Sequence, residues 1–443
     1  MVSDLVMPLG GDRMTLLAAA SLLVGSAAVT ACSAAAGPPA APRDATDACH
    51  SLASCYSSGQ IRVAYGIQPL TDRGIDGRGV TVVLPELAQQ KLSPPAVSDI
   101  RQDVASFDTV FHLPAPQLQV TTTHLAPAAV RWLASGEEML DVEMVHALAP
   151  AAAIHVILFG ASAADTPARF IGALTDAVQF GTAHGDVISI SAAGGEGCFT
   201  TAQVARLNAA LQAAARHHVT VVTASGDTGS VGESCAQPPP PDFTPVREVS
   251  LPASDSFVLA AGGTRLIASH KTGAYIGETG WGLPYGAPGT TDQASSGGFS
   301  HLFTRPGYQD AIPGTARGVP DVSADAAGHT GMALVISAGG GKIDISDSGG
   351  TSGSTPFWAG VIALADQYAG HALGFVNPAL YRIARSPNYH QAFHDITQGN
   401  NTVKFPPKTF TGYHAGPGWD PVTGLGSPNA QVLIPLLAHD DQP

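Results

Sequence analysis

The residues with the most chemical promise are one serine and three carboxyls. Ser352 stands in Gly350-Thr351-Ser352-Gly353, ahead of an apolar run, Val361-Ile362-Ala363-Leu364-Ala365, that reads as a helix. A tight glycine turn that presents a hydroxyl at a buried helix N-terminus suits a nucleophile. The backbone there is compact, and the positive end of the helix favours developing negative charge. The same residues read equally as a Gly/Ser loop in which Ser352 caps a core helix, because Ser and Thr are ordinary N-caps.

Glu137 and Asp141 supply the candidate proton-transfer groups. They lie in Ser135-Gly136-Glu137-Glu138-Met139-Leu140-Asp141-Val142-Glu143-Met144-Val145-His146-Ala147-Leu148-Ala149-Pro150, which has the start, period and stop of a helix. At about 100° per residue, Leu140, Met144 and Leu148 form one apolar stripe. Glu137 and Asp141, four residues apart, fall on or beside it, whereas Glu138 and Glu143 point well away. Two acids on a buried face cost stability unless they are partnered or functional. Coupled acids of this kind suit general acid/base work on a serine; a partial stripe with both acids half exposed is the other reading.

The elements that must hold these groups alternate. Val80–Leu84, Ile154–Phe159, Val187–Ser191 and Val219–Thr223 are continuous apolar strands, and residues 166–184 and 201–217 read as helices, the first capped by Asp165 or Thr166 with Pro167 in its first turn. This pattern predicts an α/β domain with a mainly parallel sheet flanked by helices. Chemistry in such sheets gathers at the carboxyl ends of the strands. Asp227, in Ala224-Ser225-Gly226-Asp227-Thr228-Gly229, lies at one. The second half is less regular: Pro238–Pro241 and Ser295–Gly298 read as loops, and Phe393–Pro428 as a long ordered loop that needs a local organiser.

Several chemistries are set aside. Asp227-Thr228-Gly229 is a single copy of the aspartic-peptidase triplet, and that mechanism needs two. His184-Gly185 precedes Asp227, against the subtilisin order, and no HExxH zinc pair, P-loop or dinucleotide fingerprint is present. With 35 acidic residues against 21 Lys and Arg, the net charge of −14 argues against nucleic acid or an anionic membrane surface as partner. An apolar content of 44% over 443 residues is that of a globular chain, and 13% charged residues is tolerable in acid.

Residues 14–31 form an apolar run preceded by Arg13 and followed by an Ala/Pro-rich stretch, as in an export signal. The first twelve residues carry Asp4 and Asp12 and no basic residue, which points to translation starting at Met7 or Met14. Val29-Thr30-Ala31-Cys32 resembles a bacterial lipobox, so cleavage before a lipidated Cys32 and ordinary cleavage nearby both stand as expectations. The reading is a signal over 1–32, a linker over 33–50 and a single catalytic domain over 51–443, exported to the medium or the cell surface. Without Cys32, four cysteines are left, an even number consistent with two disulfides.

The order of Glu and Asp on one helix, Asp after a strand and Gly-Thr-Ser before another helix resembles the sedolisin, or serine-carboxyl peptidase, family. Its most specific parts here are Glu137-x-x-x-Asp141, Ser225-Gly226-Asp227 and Gly350-Thr351-Ser352-x-x-x-Pro356. They are joined by Ala64-Tyr65-Gly66-Ile67, Ala260–Thr264, Arg317–Asp321 and Asn377–Tyr381. The resemblance implies a subtilisin-like fold and acid-active hydrolysis of polypeptides. It makes Ser352 the nucleophile, Glu137 the base, Asp141 its support and Asp227 the oxyanion acid, with Glu86 extending the acid network. It also implies one structural calcium ion (Ca2+) held by Asp395, Ile396, Gly416, Gly418 and Asp420, a hard-oxygen set of carboxylates and carbonyls. Proximity and the resemblance together pair Cys49 with Cys55 and Cys198 with Cys235, and a monomer is expected. Two departures stand out: about 30 residues separate the signal from Ile61, where the resemblance begins, although the family's precursors carry a large prosegment there, and Ala192 stands where several members have tryptophan. An exported binding protein that keeps the fold without catalysis is the other functional class.

Overall fold

The computed structural model describes residues 55–88, 98–123, 133–134, 136–160, 166–233, 245–282, 293–339, 342–405 and 408–440. The signal, the linker, Cys32, Cys49, Cys235 and the Pro238–Pro241 run lie outside these residues.

An eight-stranded sheet forms the frame: β1 (Thr81–Ala88), β2 (Gln117–Thr123), β3 (Ala153–Gly160), β4 (Val187–Ile190), β5 (Thr220–Ala224), β6 (Leu259–Ala268), β7 (Tyr275–Gly280) and β8 (Val322–Asp325). The path runs β7-β6-β5-β4-β1-β3-β2, with β8 pairing to β6 off it. Every pairing is parallel except that of β6 with β7. The continuous Val/Ile runs follow from this, because a parallel sheet covered on both faces buries successive side chains in opposite directions. Val82, Leu84, Ile154, Val156 and Leu158 join one core, whereas Val83, Ile157, Ile188, Ile190 and Val221 join the other.

Helices cover both faces. On one side α3 (Pro167–His184) and α4 (Thr201–Arg216) pack on each other. α3 starts as predicted: Thr166 accepts the Arg169 N–H at 3.3 Å, and Pro167 occupies the first turn. On the other side lie α1 (Ile100–Phe111), α2 (Gly136–Leu148), α5 (Thr351–Ala369) and α6 (Ala430–Asp440). α5 runs beneath β4, β5, β6 and β8 and against α2 and α6. It is buried from Thr351 to Asp366, a helix apolar on every side because every side meets protein.

Three expectations need correction. Glu138 and Glu143 do not face away from the core: they are 1% and 0% exposed, because α5, α1 and the strand Ala333–Gly339 close over the remaining sides of α2. Glu143 accepts the Val335 N–H at 2.9 Å. Cys55 is not half of a disulfide: it is a free thiol with 0% exposure, packed in the main core as a small apolar side chain. Finally, the second half is more regular than its composition suggests, because β6, β7, β8 and the hairpin of Ala333–Gly339 with Lys342–Asp347 all lie there. Among the described residues no helix is long and apolar enough to cross a membrane.

Candidate active site

Five elements deliver their polar residues to one end of the sheet. Glu86 comes from near the carboxyl end of β1, Ser191 follows β4, and Asp227 follows β5 by three residues. Ser352 is the second residue of α5, whose N-terminus opens at the same end. Glu137 and Asp141 lie in the first two turns of α2, which packs against α5.

Ser352 does not cap α5. Gly350 holds that position with φ 80°, a backbone conformation suited to glycine, and no side chain of the chain turn itself bonds the cap. Asp227 substitutes from another element: its Oδ1 accepts the backbone N–H and the hydroxyl of Thr351, both at 2.8 Å. The Thr351 hydroxyl in turn accepts the Gly226 N–H at 3.1 Å. The Ser352 hydroxyl is thereby free of capping duty and hydrogen-bonds Glu137. Four residues on, Pro356 lacks the N–H that would close the helical bond to the Ser352 carbonyl. The Ser191 hydroxyl lies 3.4 Å from that carbonyl and 2.9 Å from both oxygens of Asp141. Serine, proline and acidic helix are thus knitted together at one point.

Burial dominates the electrostatics. It raises the affinity of Glu137 for a proton well above the ordinary carboxyl range, the nearby Asp141 charge adds to it, and the Ser352 hydrogen bond opposes it. Asp141 is pushed up to about 7 by burial, against hydrogen bonds from Glu86 and Ser191 that favour its charged form. Glu86 is raised for the same first reason and then by Asp141. Three buried acids in contact cannot all ionise, so this set shares protons and titrates as a unit. Asp227 is pushed up to about 6, again by burial, with the two Thr351 bonds pulling down. Its Oδ2 is buried and accepts no hydrogen bond. A protonated Asp227 can therefore donate from that oxygen, whereas an ionised one only accepts.

All four residues singled out for chemistry converge here, as does Glu86. Ser191 and Thr351 were missed as contributors, and so was Glu233, whose Oε1 accepts the Asp227 N–H at 3.0 Å. For Ser191 the available sign was its place at a strand's carboxyl end; Thr351 and Glu233 had only their neighbours in sequence. Ala192 is partly buried against the core under α3 and α4.

The late loop draws the five expected calcium residues together. The Gly418 N–H donates to Asp395 at 3.0 Å and the Gly416 N–H to Asp420 at 3.2 Å, so residues 416–418 lie against both carboxylates. Asp420 also accepts from Val422 and Thr423 N–H groups at 2.7 and 3.0 Å, and Ile396 is buried beside Asp395. Among the described residues no group of three or more His, Cys, Asp or Glu side chains could hold a metal. Any cation here relies on two carboxylates and on backbone carbonyls, a donor chemistry that fits calcium.

Residues 129–379, more than half of the chain, match the subtilase family. The chain is 38% identical to kumamolisin of a Bacillus species over 68% of its own length and 50% of the relative's. It is 36% identical to sedolisin of a Pseudomonas species over 48% of the chain and 34% of that protein. With human tripeptidyl-peptidase 1 the identity is 30%, over 57% and 43%. The solved structure of Pseudomonas sedolisin, a serine-carboxyl proteinase complexed with pseudo-iodotyrostatin, matches with a TM-score of 0.69 and 26% identity over 86% of this chain and 97% of that one. The subtilisin-like fold, a mainly parallel sheet flanked by helices, is therefore established, and it is the fold of a class whose members matched here are serine peptidases. Within that class the chain belongs to the subtilase family, in its sedolisin branch. It spans about half or less of the length of the curated relatives it matches.

Proposed function

We propose that this chain is an exported, acid-active serine-carboxyl peptidase. The observation that carries the reading is the Ser352–Glu137 hydrogen bond beside a buried Asp227 whose Oδ2 is open. Ser352 Oγ attacks the peptide carbonyl carbon as Glu137 takes its proton. The carbonyl oxygen becomes an oxyanion that receives a hydrogen bond from protonated Asp227, aided by the N-terminus of α5. Collapse breaks the C–N bond, Glu137 returns its proton to the leaving amine, and an acyl-serine is left. Water then repeats the sequence: Glu137 takes its proton, the ester bond breaks, and Ser352 regains its hydrogen. Asp141, backed by Glu86 and Ser191, holds Glu137 in place and shares its proton.

This scheme needs one negative charge in the Glu137 set and a protonated Asp227, and the second of these is lost as the pH rises through about 6. Digestion of a denatured protein at pH 3 to 8 tests it: turnover should be highest in acid and fall as the pH passes about 6, the value to which Asp227 is raised. An optimum at pH 8 would overturn the assignment of Asp227. The roles of Asp395, Ile396, Gly416, Gly418 and Asp420 as calcium ligands belong to the same proposal. The ion would tie together a loop in which both carboxylates already face residues 416–418. Export is supported by the apolar run at 14–31, with Cys32 as the site of any lipid anchor. The active residues lie in one chain, and a monomer is the working unit we propose. A disulfide between Cys198 and Cys235 is part of the same proposal and suits that exported setting.

A further inference from the structure

We infer that Glu233 is a positioning residue for Asp227: its carboxyl oxygen fixes the turn that aims Asp227 Oδ2 at the reacting carbonyl. The inference rests on the acyl-transfer reading above. Asp227 is held by its side chain at one oxygen only, through Thr351 at 2.8 Å. Rotation about that anchor has to be limited by the backbone, and the backbone is a turn at glycine. Gly226 has φ 109°, which L side chains avoid. A Cβ at 226 would lie 3.1 Å from Glu233 Oε1 and 2.9 Å from Ser296 Oγ, so Glu233 fills the space directly beneath the turn.

Glu233 Oε1 accepts the Asp227 N–H at 3.0 Å. The Thr228 hydroxyl lies 3.2 Å from the same oxygen but nearer the Val231 carbonyl, at 2.7 Å, so the Asp227 amide is its main donor. Glu233 is anchored in turn: its N–H donates to Ser250 Oγ at 3.4 Å and its carbonyl accepts the Gly195 N–H at 3.3 Å. The residue is 9% exposed. Other charged groups face the pair from two directions, Glu137 on α2 across Asp227 and Glu248 behind Gly195 and Gly232. No chemistry in the scheme above uses Glu233, yet a buried carboxyl six residues from an oxyanion donor is costly unless it serves the fold or the site. Burial raises it to about 7, with the Asp227 amide and Thr228 bonds opposing and the Asp227 charge adding. It is therefore mostly neutral in acid, where an oxygen that accepts, not a charge, is what it can offer.

Glu233→Leu removes the acceptor and Glu233→Gln keeps it. For the Leu variant we expect kcat to fall about 10- to 100-fold with KM changed less than about twofold, because the misplaced donor acts on the transition state. Glutamine should recover kcat to within about threefold of the parent. Amide hydrogen exchange at Asp227 gives a readout that needs no turnover: about tenfold faster in Glu233→Leu, slow again in Glu233→Gln. Unchanged kcat or unchanged Asp227 exchange in the Leu variant overturns the inference. So does a parallel loss of kcat, KM and melting temperature in both variants. If the Leu variant fails to fold, Glu233→Gln decides: a more than about tenfold loss of kcat at an unchanged melting temperature overturns an acceptor role. A parent chain without peptidase activity would instead overturn the acyl-transfer reading and leave amide exchange to decide the contact.

Discussion

Asp227 caps the helix that carries Ser352. Its Oδ1 takes the Thr351 N–H and hydroxyl at 2.8 Å each, and its Oδ2 is left buried and open. One side chain therefore orients the serine's helix and, in the proposed mechanism, also donates to the developing oxyanion. Asp227→Asn separates these jobs, since an amide oxygen can keep the Thr351 bonds while its NH2 donates at any pH. Turnover should drop about 100-fold from imperfect geometry, but the fall of kcat/KM near pH 6 should disappear. A pH–rate profile of the variant checks this.

Ser352→Ala should lower peptide hydrolysis by about 10⁴-fold or more. Its melting temperature should stay within a few degrees of the parent, because Gly350 and Asp227, not Ser352, cap α5. Activity and thermal melts on the same preparation test both halves of the expectation.

Ser191→Ala removes a donor lying 2.9 Å from both Asp141 oxygens. That bond favours ionised Asp141, so its loss raises the affinity of the acid set for protons. The acid limb of the pH–rate profile should move to higher pH, with kcat down about tenfold. A limb that moved to lower pH would contradict the contact.

Folding stability should fall as the solution leaves acid. Asp227 is raised to about 6, and Asp141, Glu233 and Asp325 to about 7, each chiefly by burial. In the unfolded chain such groups titrate near 4. Between these limits the folded state binds more protons, so stability is fully present below about pH 4 from these groups and is lost as the pH rises through the folded values. Melting temperatures measured at fixed calcium should decline from pH 4.5 to pH 7.5.

Chelation should lower the melting temperature if residues 395–420 hold calcium, and Asp420→Asn should abolish that sensitivity. The expected effect follows from mass action on a site present only in the folded chain. An unchanged melt with and without chelator would remove the ion from the proposal.

Much of this was legible from the residues. The Val/Ile strands and the helix from Pro167 declare themselves because a parallel sheet demands continuous apolar runs and Thr166-Pro167 is a start signal with a mechanism. Glu137 and Asp141 were visible as acids on a buried face, where acids are costly, and Asp227 as an acid at the carboxyl end of a strand. The burial of Glu138 and Glu143 was not, because a periodic stripe reports one packed face and cannot count how many neighbours close over the others. Nor was the cap of α5: local sequence offers Ser and Thr, while the actual acceptor arrives from residue 227. Glu233 escaped for the same reason, since its partner is an amide, and a backbone donor leaves no mark in the composition.

The parts of the site are far apart along the chain, and that spacing sets an order in time. Synthesis delivers Glu86, Glu137, Asp141 and Asp227 before it delivers Ser352. A nascent polypeptide that stops after residue 233 and before residue 352 holds every acid of the site and nothing for them to activate. The proposed nucleophile arrives last, so on the proposed reading the chain stays unarmed until nearly four-fifths of it has been made.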